Sequence, residues 1–138
     1  MRDGEEGFDF LGFHHRMVES WKRKGHRYLQ KWPSTRAMAS VKASIRARTA
    51  RSQVGRTLNA VVADLNPVIR GWGNYFRYGN SARKFAAVDE YVRERLAKLD
   101  SRKRGRRACR WNVHTVDWFQ RIGLHQLSGT VRYWAAHA

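Results

Sequence analysis

Hydrophobic residues recur at helical spacing along most of the chain. After Ser34, whose side chain suits a helix N-cap, apolar residues recur at helical spacing: Ala37 or Met38, then Val41 and Ile45. A second apolar stripe consists of Leu58, Val61, Val62, Leu65, Ile69, Trp72 and Phe76. Within this stripe, Asn66-Pro67 either restarts or kinks the helix, because proline fits a first turn but disturbs a helix interior. The pattern predicts two amphipathic helices.

A third amphipathic helix is predicted to start after Ser81, its expected N-cap. Its apolar stripe consists of Phe85, Val88, Val92, Leu96 and Leu99. We expect the acids of this helix to lie on its solvated surface and to form the i,i+4 ion pairs Asp89–Arg93 and Glu94–Lys98. A short fourth helix through Phe119 is predicted to stop at Gly123.

The first 32 residues follow a different pattern, rich in β-forming residues. The segments FDFLGFHHRMV and GHRYLQKW, on either side of the turn-like ESWKRKG, predict a two-stranded hairpin that needs cover from another element. The predicted fold class is therefore mainly α, a bundle of three to four helices with an N-terminal β-hairpin. The predicted units are residues 1–32 for the hairpin, 33–100 for the helical domain, and 101–138 for a basic linker with a C-terminal helical tail.

The net charge of the chain predicts a polyanionic binding partner. The 138 residues contain 28 Lys and Arg against 11 Asp and Glu, a formal net charge of +17. Residues 20–63 hold eleven bases and no acid, which predicts a continuous positive face. Nucleic acid neutralises such a surface and releases its own counterions. No apolar run reaches the roughly 20 residues that span a bilayer, and the acidic start MRDGEEGFDF is unlike a targeting peptide. We therefore expect no membrane partner and a cytoplasmic protein.

The carboxylates and the cysteine do not form a recognisable catalytic or metal motif. Cys109 is the single cysteine, which argues against an intrachain disulfide and a cysteine-based zinc site. Asp89 and Glu90 are neighbours on one helix and diverge by about 100°, which does not suit a two-metal centre. We expect no cofactor, no metal and no catalytic residue.

The histidines leave one alternative open. His14 and His15 are adjacent in a predicted strand, so they should face opposite sides of the sheet. Asp9 together with His14 or His26 would be the site of a small metal nuclease if the hairpin brought them together, although their spacing does not fix that geometry.

Two motifs in order resemble the group II intron reverse transcriptases. The stretch LNPVIRGWGNYFRYGNSARKFAAVDEYVRERLAKL resembles their maturase-specific domain, which is also their thumb. The resemblance is carried by Leu58, Asn59, Leu65, Asn66, Pro67, Arg70, Gly71, Trp72, Asn74, Tyr75, Phe76, Phe85, Asp89 and Tyr91. Upstream, FDFLGF resembles the end of the palm, and downstream, GLHQLSGTVRY is similar to the tail of some bacterial members.

The resemblance implies a thumb-like helical domain that binds group II intron RNA and assists its splicing. In a complete enzyme of the family, the same surface also holds a template–primer duplex. Because seven residues precede FDFLGF, we expect a non-catalytic C-terminal fragment without the palm and its Tyr-x-Asp-Asp aspartates. Phe8, Phe10, Leu11 and Phe13, which would pack on that palm, then need other cover. The alternative is a general basic DNA- or RNA-binding module, or a non-functional remnant of the full enzyme.

The predicted RNA-binding residues are basic and aromatic side chains that lie off the apolar stripes. They are Arg36, Lys42, Arg46, Arg48, Arg70, Tyr75, Arg77, Tyr78, Arg83 and Lys84. The cations are expected to contact phosphate, and the tyrosines to stack on unpaired bases. Trp72 and Phe76 lie on the apolar stripe and are expected in the core, while Gly71 and Gly73 should let helices approach closely or bend the chain.

Overall fold

The structure is a computed structural model that describes residues 7–19, 27–105 and 114–131. Three strands, β1 Phe8–Phe10, β2 Phe13–Glu19 and β3 Arg27–Pro33, precede the helices α1 Thr35–Arg48, α2 Leu58–Phe76, α3 Ala82–Lys103 and α4 Val116–Arg121, with a short 3-10 turn at Arg51–Gln53. The predicted fold class, mainly helical with an N-terminal β element, is confirmed. His26, the basic segment around Cys109 and the last seven residues lie outside the described residues.

The N-terminal element has three antiparallel strands in the order β1-β2-β3, one more than the predicted hairpin. The predicted first strand is broken at Leu11-Gly12, where φ is 51° at Leu11 and 85° at Gly12. Positive φ at both central residues is typical of the two-residue turns whose twist matches that of the flanking strands. Leucine rarely occupies this left-handed region, so the sequence carries no signal for the turn.

The predicted helix starts are confirmed in position, and their contacts join neighbouring elements. Ser34 Oγ accepts a hydrogen bond from the Ala37 N–H at 3.1 Å, as an N-cap does, while its own N–H donates to the Gly12 carbonyl at 2.8 Å. Ser81 occupies the N-cap position of α3, but its hydroxyl donates to the Phe76 carbonyl at 2.8 Å. The Ser81 side chain thus links the end of α2 to the start of α3.

The core lies among α1, α2 and α3, as the three apolar stripes predict. Its buried members are Met38, Val41 and Ile45 from α1, Val61, Val62, Leu65, Ile69 and Phe76 from α2, and Phe85, Val88, Val92, Leu96 and Leu99 from α3. α2 continues through Pro67, which lies on the exposed side of the helix, so Asn66-Pro67 does not restart it. Among the described helices, none has the length and apolar character of a membrane span.

The sheet is attached to the turn between α2 and α3 by both side-chain and backbone contacts. Phe13 is 8% exposed, and its ring meets the edge of Phe76 at a centroid distance of 4.7 Å. The Asn80 N–H donates to the Lys31 carbonyl at 2.6 Å, and the Lys31 N–H donates to Asn80 Oδ1 at 3.3 Å. A Cβ at Gly79 would lie 2.7 Å from the Lys31 carbonyl oxygen, so a larger residue would separate the two backbones.

Of the apolar residues in the N-terminal strands and their turn, some are buried against the helices and others are exposed. Phe13 is buried against the helices, whereas Phe8, Phe10 and Leu11 are 58%, 60% and 68% exposed. His15 stacks on Phe8 with 5.0 Å between ring centroids. The outer part of this sheet face therefore remains open to solvent.

Two polar side chains hold the segment that follows α4 against α2 and α3. Asn66 Nδ2 donates to the Gly123 carbonyl at 2.9 Å, and Asn66 Oδ1 accepts from the His125 N–H at 2.8 Å. Asp89 accepts three hydrogen bonds, from the N–H groups of Leu127 and Ser128 at 2.9 and 2.8 Å and from the Ser128 hydroxyl at 2.7 Å. We call residues 123–128 the clamped segment.

Leu127 gives the clamped segment its apolar anchor. Leu127 is 1% exposed. If residue 73 had a Cβ, that atom would lie 2.4 Å from Leu127 Cδ2, so the leucine fits because residue 73 is glycine. Gly73 does permit a close approach, but its neighbour is the loop residue Leu127 and not, as expected, another helix. A Cβ at Gly71 would meet no atom within 4 Å, so close approach does not require glycine there.

The expected surface position of Asp89 is wrong, because its carboxylate is buried at 4% exposure on the clamped segment. The Glu94–Lys98 pair is confirmed, with 3.0 Å between Oε1 and Nζ. A second acid of α3, Asp100, is also buried and lies 2.8 Å from His114 Nε2. Both buried carboxylates therefore connect α3 to the chain that follows it.

We expect Phe13→Ala to lower the free energy of unfolding by about 3–5 kcal/mol, because it empties a buried aromatic site on Phe76. Phe10→Ala is the matched control at an exposed position, with an expected change within about 0.5 kcal/mol. Urea unfolding monitored by circular dichroism measures both. Equal effects of the two substitutions would contradict the described attachment of the sheet.

We expect Asp89→Asn to lower the free energy of unfolding by about 2 kcal/mol. The substitution removes the negative charge and replaces one accepting oxygen by an NH2 group, which cannot accept a hydrogen bond from an N–H. Amide hydrogen exchange at Leu127 and Ser128 should accelerate. Glu90→Gln, on the exposed neighbouring position, is the control and should leave both exchange rates unchanged. Protection that survives in Asp89→Asn would show that Leu127 packing alone holds the clamped segment.

Candidate nucleic-acid interface

The four predicted cations of α1 point in three directions. At 3.6 residues per turn, Lys42 and Arg46 fall on one flank of the buried stripe, Arg48 falls on the other flank, and Arg36 lies opposite the stripe. Arg36 and Arg46 are exposed, while Lys42 and Arg48 are half-buried. The single positive face expected from the sequence is thus divided around the helix.

Lys42 and Arg46 meet Tyr91 of α3. Arg46 Nε donates to the Tyr91 hydroxyl at 3.3 Å, and Lys42 Nζ lies 5.6 Å from the centroid of the Tyr91 ring. A cation within about 6 Å of an aromatic face is attracted by the ring quadrupole. Lys42, Arg46 and Tyr91, with the neighbouring Arg95, form what we call the α1–α3 cluster.

Arg95 fixes the end of α1 inside this cluster. Its Nε donates to Thr49 Oγ1 at 3.1 Å, and its Nη2 lies 3.3 Å from the Thr49 carbonyl and 3.5 Å from the Arg46 carbonyl. The last carbonyls of a helix lack intrahelical donors and carry partial negative charge, which a cation offsets. Arg95 is therefore a cap of α1, and its contacts hold the backbone of Arg46 against α3.

On the opposite flank of α1, Arg48 lies close enough to Asp64 of α2 for their charges to interact. Arg48 Nη1 donates to the Ser44 carbonyl at 3.2 Å. Nearby, Arg56 and Asp64 form an ion pair, and the Arg56 guanidinium lowers the pKa of the Asp64 carboxyl, with a smaller contribution from the charge of Arg48. Asp64 reduces the positive potential here, so this flank is the weaker candidate for phosphate binding.

Tyr75 and Arg70 lie on opposite flanks of α2. The Tyr75 hydroxyl donates to the Leu11 carbonyl in the β1–β2 turn, and its ring contacts Phe13 and Phe76 but remains 51% exposed. Arg70 is exposed on the other flank, where its charge acts on His125 of the clamped segment. Tyr75 thus stabilises the sheet turn and still presents one ring surface to solvent.

The remaining predicted residues occupy the α2–α3 turn and the start of α3. The Arg77 guanidinium lies 4.9 Å from the Tyr78 ring centroid, and its Nη2 donates to the Tyr78 hydroxyl at 3.0 Å. Arg83 is exposed and Lys84 half-buried in the first turn of α3. Lys84 precedes Tyr91 by seven residues and so lies on the same side of α3 as the α1–α3 cluster.

The expected division of the aromatic residues is confirmed for the core pair. Phe76 is buried, and the half-buried Trp72 packs between Phe76 and Phe85 at centroid distances of 4.8 and 5.6 Å. Tyr75 and Tyr78 keep exposed rings. Unpaired bases can therefore stack on Tyr75 and Tyr78 more readily than on the half-buried Trp72 or the buried Phe76.

Sequence reasoning missed Tyr91 and Arg95 as parts of the positive surface. Their i,i+4 spacing on α3, with Lys84 seven residues before Tyr91, was an available signal. It was obscured because Arg95 also fits an ordinary solvated helix face. The partner positions Arg46 and Thr49 lie more than 40 residues away in the chain, and only the packing of α1 on α3 relates them.

Of the histidine alternative, the described residues include Asp9 and His14, whereas His26 lies outside them. Asp9 and His14 are register partners across β1 and β2, with 2.7 Å between Asp9 Oδ1 and His14 Nδ1. His15 lies on the other face beside Phe8, as expected for adjacent strand residues. Within the described residues, no group of three or more His, Cys, Asp or Glu side chains is arranged to hold a metal ion.

Comparison with known proteins identifies a family model for the helical part of the chain. Residues 38–118 match the model described as "Group II intron, maturase-specific domain", which covers more than half of the 138 residues. The matched stretch includes all of α2 and α3 and the whole α1–α3 cluster. No curated protein matches the chain.

We expect the pKa of His125 to be lower than the 6.5 of an unperturbed histidine, because burial and then the charge of Arg70 disfavour its protonated form, against a smaller opposing effect of Asp89. Between the lowered folded pKa and the unfolded pKa of about 6.5, the unfolded chain then binds more protons at His125 than the folded chain. His125 therefore contributes stability that is present above this pH and is lost as the pH falls through the folded pKa.

Titration of the His125 ring signals by NMR measures this pKa directly. In Arg70→Gln the pKa should move up toward its ordinary value, because one unfavourable charge is gone. A pKa at or above 6.5 in the unmodified protein would contradict the described burial of His125 beside Arg70.

Proposed function

Because the chain belongs to the family of group II intron maturase-specific domains, we propose that it binds folded group II intron RNA and assists the splicing of that RNA. Membership of this family implies a maturase function. The step to direct RNA binding is supported above all by the α1–α3 cluster, which lies entirely within the matched residues. Among the described residues, none of the ion pairs involves Lys42, Arg46 or Arg95.

The proposed mechanism is charge neutralisation without chemistry by the protein. A group II intron must bring phosphate-rich RNA segments together to splice, and this approach is opposed by electrostatic repulsion. Cations held on a rigid helical surface reduce that repulsion and release condensed counterions. In this mechanism the RNA carries out the reaction, and the protein stabilises the RNA conformation that reacts.

Selectivity in this proposal comes from the shape of the RNA. Contacts to phosphate position a nucleic acid but do not read its bases. The exposed rings of Tyr75 and Tyr78 add sites where unpaired bases can stack, which folded RNA offers in loops and bulges and duplex DNA does not. A surface of this kind distinguishes a folded RNA from a regular duplex.

The test is binding of the full chain to a folded group II intron RNA, beside an unrelated structured RNA and duplex DNA, across a salt series. We expect tighter binding to the intron RNA near physiological salt. Equal binding to all three nucleic acids, with a steep loss at higher salt, would instead indicate a general basic module.

A pair of double variants tests the location of the interface. Lys42→Ala with Arg46→Ala should weaken binding and lower the slope of log K against log salt by about one per lost phosphate contact. Arg102→Ala with Arg121→Ala removes the same charge from exposed positions outside the cluster and should have a smaller effect. Equal effects of the two double variants would place the interface elsewhere.

A further inference from the structure

We propose that Tyr91 is a positioning residue that sets Lys42 and Arg46 to bind separate phosphates of one RNA strand. This inference rests on the proposed function and specifies which part of the surface holds the RNA backbone. Tyr91 interacts with both cations, although a tyrosine at this position could be read from the sequence simply as an apolar packing residue.

The hydrogen bond to Tyr91 orients Arg46 without using up its donors. Arg46 Nε donates to the Tyr91 hydroxyl at 3.3 Å. A guanidinium has five N–H donors in a planar fork, so both terminal nitrogens of Arg46 remain available for phosphate oxygens. Because Arg46 is exposed, this fork is held at the surface, where a phosphate can reach it.

The Tyr91 ring restrains the second cation. Lys42 Nζ lies 5.6 Å from the ring centroid. Lys42 and Arg46 are four residues apart on α1, where side chains share one face of the helix with about 5–6 Å between Cβ atoms. The two cations therefore stand side by side along the helix axis, which suits successive phosphates better than one shared phosphate.

Tyrosine holds both cations without cancelling their charge. Like charges at i,i+4 repel, and an acid between them would remove the repulsion together with the positive potential. The hydroxyl oxygen and the ring face of Tyr91 attract the cations as dipole and quadrupole, and they carry no net charge. A ready phosphate site needs cations that are ordered but not neutralised, and this arrangement satisfies both conditions.

Arg95 keeps the two helices in the register that the site needs. Arg46 of α1 meets Tyr91 of α3, and three residues later Thr49 meets Arg95, four residues after Tyr91. α1 and α3 thus run in the same direction where they touch. Since Arg95 also contacts the Arg46 carbonyl, movement of α1 relative to Tyr91 would break the helix cap.

Tyr91→Phe isolates the hydroxyl, because it keeps the ring under Lys42 and the packing of α3. We expect it to weaken binding to the folded intron RNA by about threefold, as loss of one modest hydrogen bond does. The slope of log K against log salt should stay as in the unmodified protein, since both cations remain. The midpoint of urea unfolding should also stay unchanged.

A double-mutant cycle with Arg46→Ala separates positioning from a general structural role. If the hydroxyl acts through Arg46, Tyr91→Phe should have no further effect on binding in the Arg46→Ala background. In the Lys42→Ala background it should keep its full effect, because Arg46 is still present. An equal loss in both backgrounds would overturn the assignment.

The outcomes also distinguish this inference from the proposed function. If the unmodified chain prefers intron RNA and Tyr91→Phe binds equally well, the positioning role is overturned and the proposed function stands. If the unmodified chain shows no preference for intron RNA, the proposed function and the inference that rests on it are both overturned.

Discussion

The buried carboxylate of Asp89 is the interaction on which the arrangement of this domain depends. Burying a charge is costly unless hydrogen bonds replace its hydration, and Asp89 receives three of them from residues 127 and 128. Those bonds place Leu127 on Gly73 of α2, where its side chain joins the core. Together with Asn66 of α2, Asp89 of α3 sets where the chain after α4 lies against the helices.

Burial of acidic side chains on α3 also affects the electrostatic potential at the protein surface. Asp89 and Asp100 are both buried on α3, where their charges attach later segments of the chain. The cations of α1 and the start of α3 are left without those acids as surface partners. The chain has a formal net charge of +17 and 11 acidic residues, so burying two of these acids makes its surface more positive. In the α1–α3 cluster, this positive surface includes cations that Tyr91 orients without an acid.

The spacing of apolar residues was sufficient to predict the helices, because each helix buries one stripe of residues that are close together in the sequence. The stripes through Ile45, Leu65 and Leu96 predicted α1, α2 and α3, and all three pack as expected. The Leu11-Gly12 turn escaped prediction because its conformation is enforced by neighbours, including the Tyr75 hydroxyl and the Ser34 N–H. The roles of Asp89, Tyr91 and Arg95 escaped for the same reason, since each depends on residues distant in sequence. Which basic residues bind RNA is likewise a question of packing, and composition predicts only that such residues exist.

The contact between Asn80 and Lys31 has a consequence for self-association. A sheet edge with unpaired backbone groups is a template on which strands of other molecules can add. On β3, both backbone groups of Lys31 are occupied by Asn80, and the edge on the other side is β1, which is three residues long. At Lys31, therefore, the β3 edge has no free backbone donor or acceptor for an incoming strand. The Asn80 contact blocks strand addition at this point of β3, even though phenylalanines are exposed on one face of the described sheet.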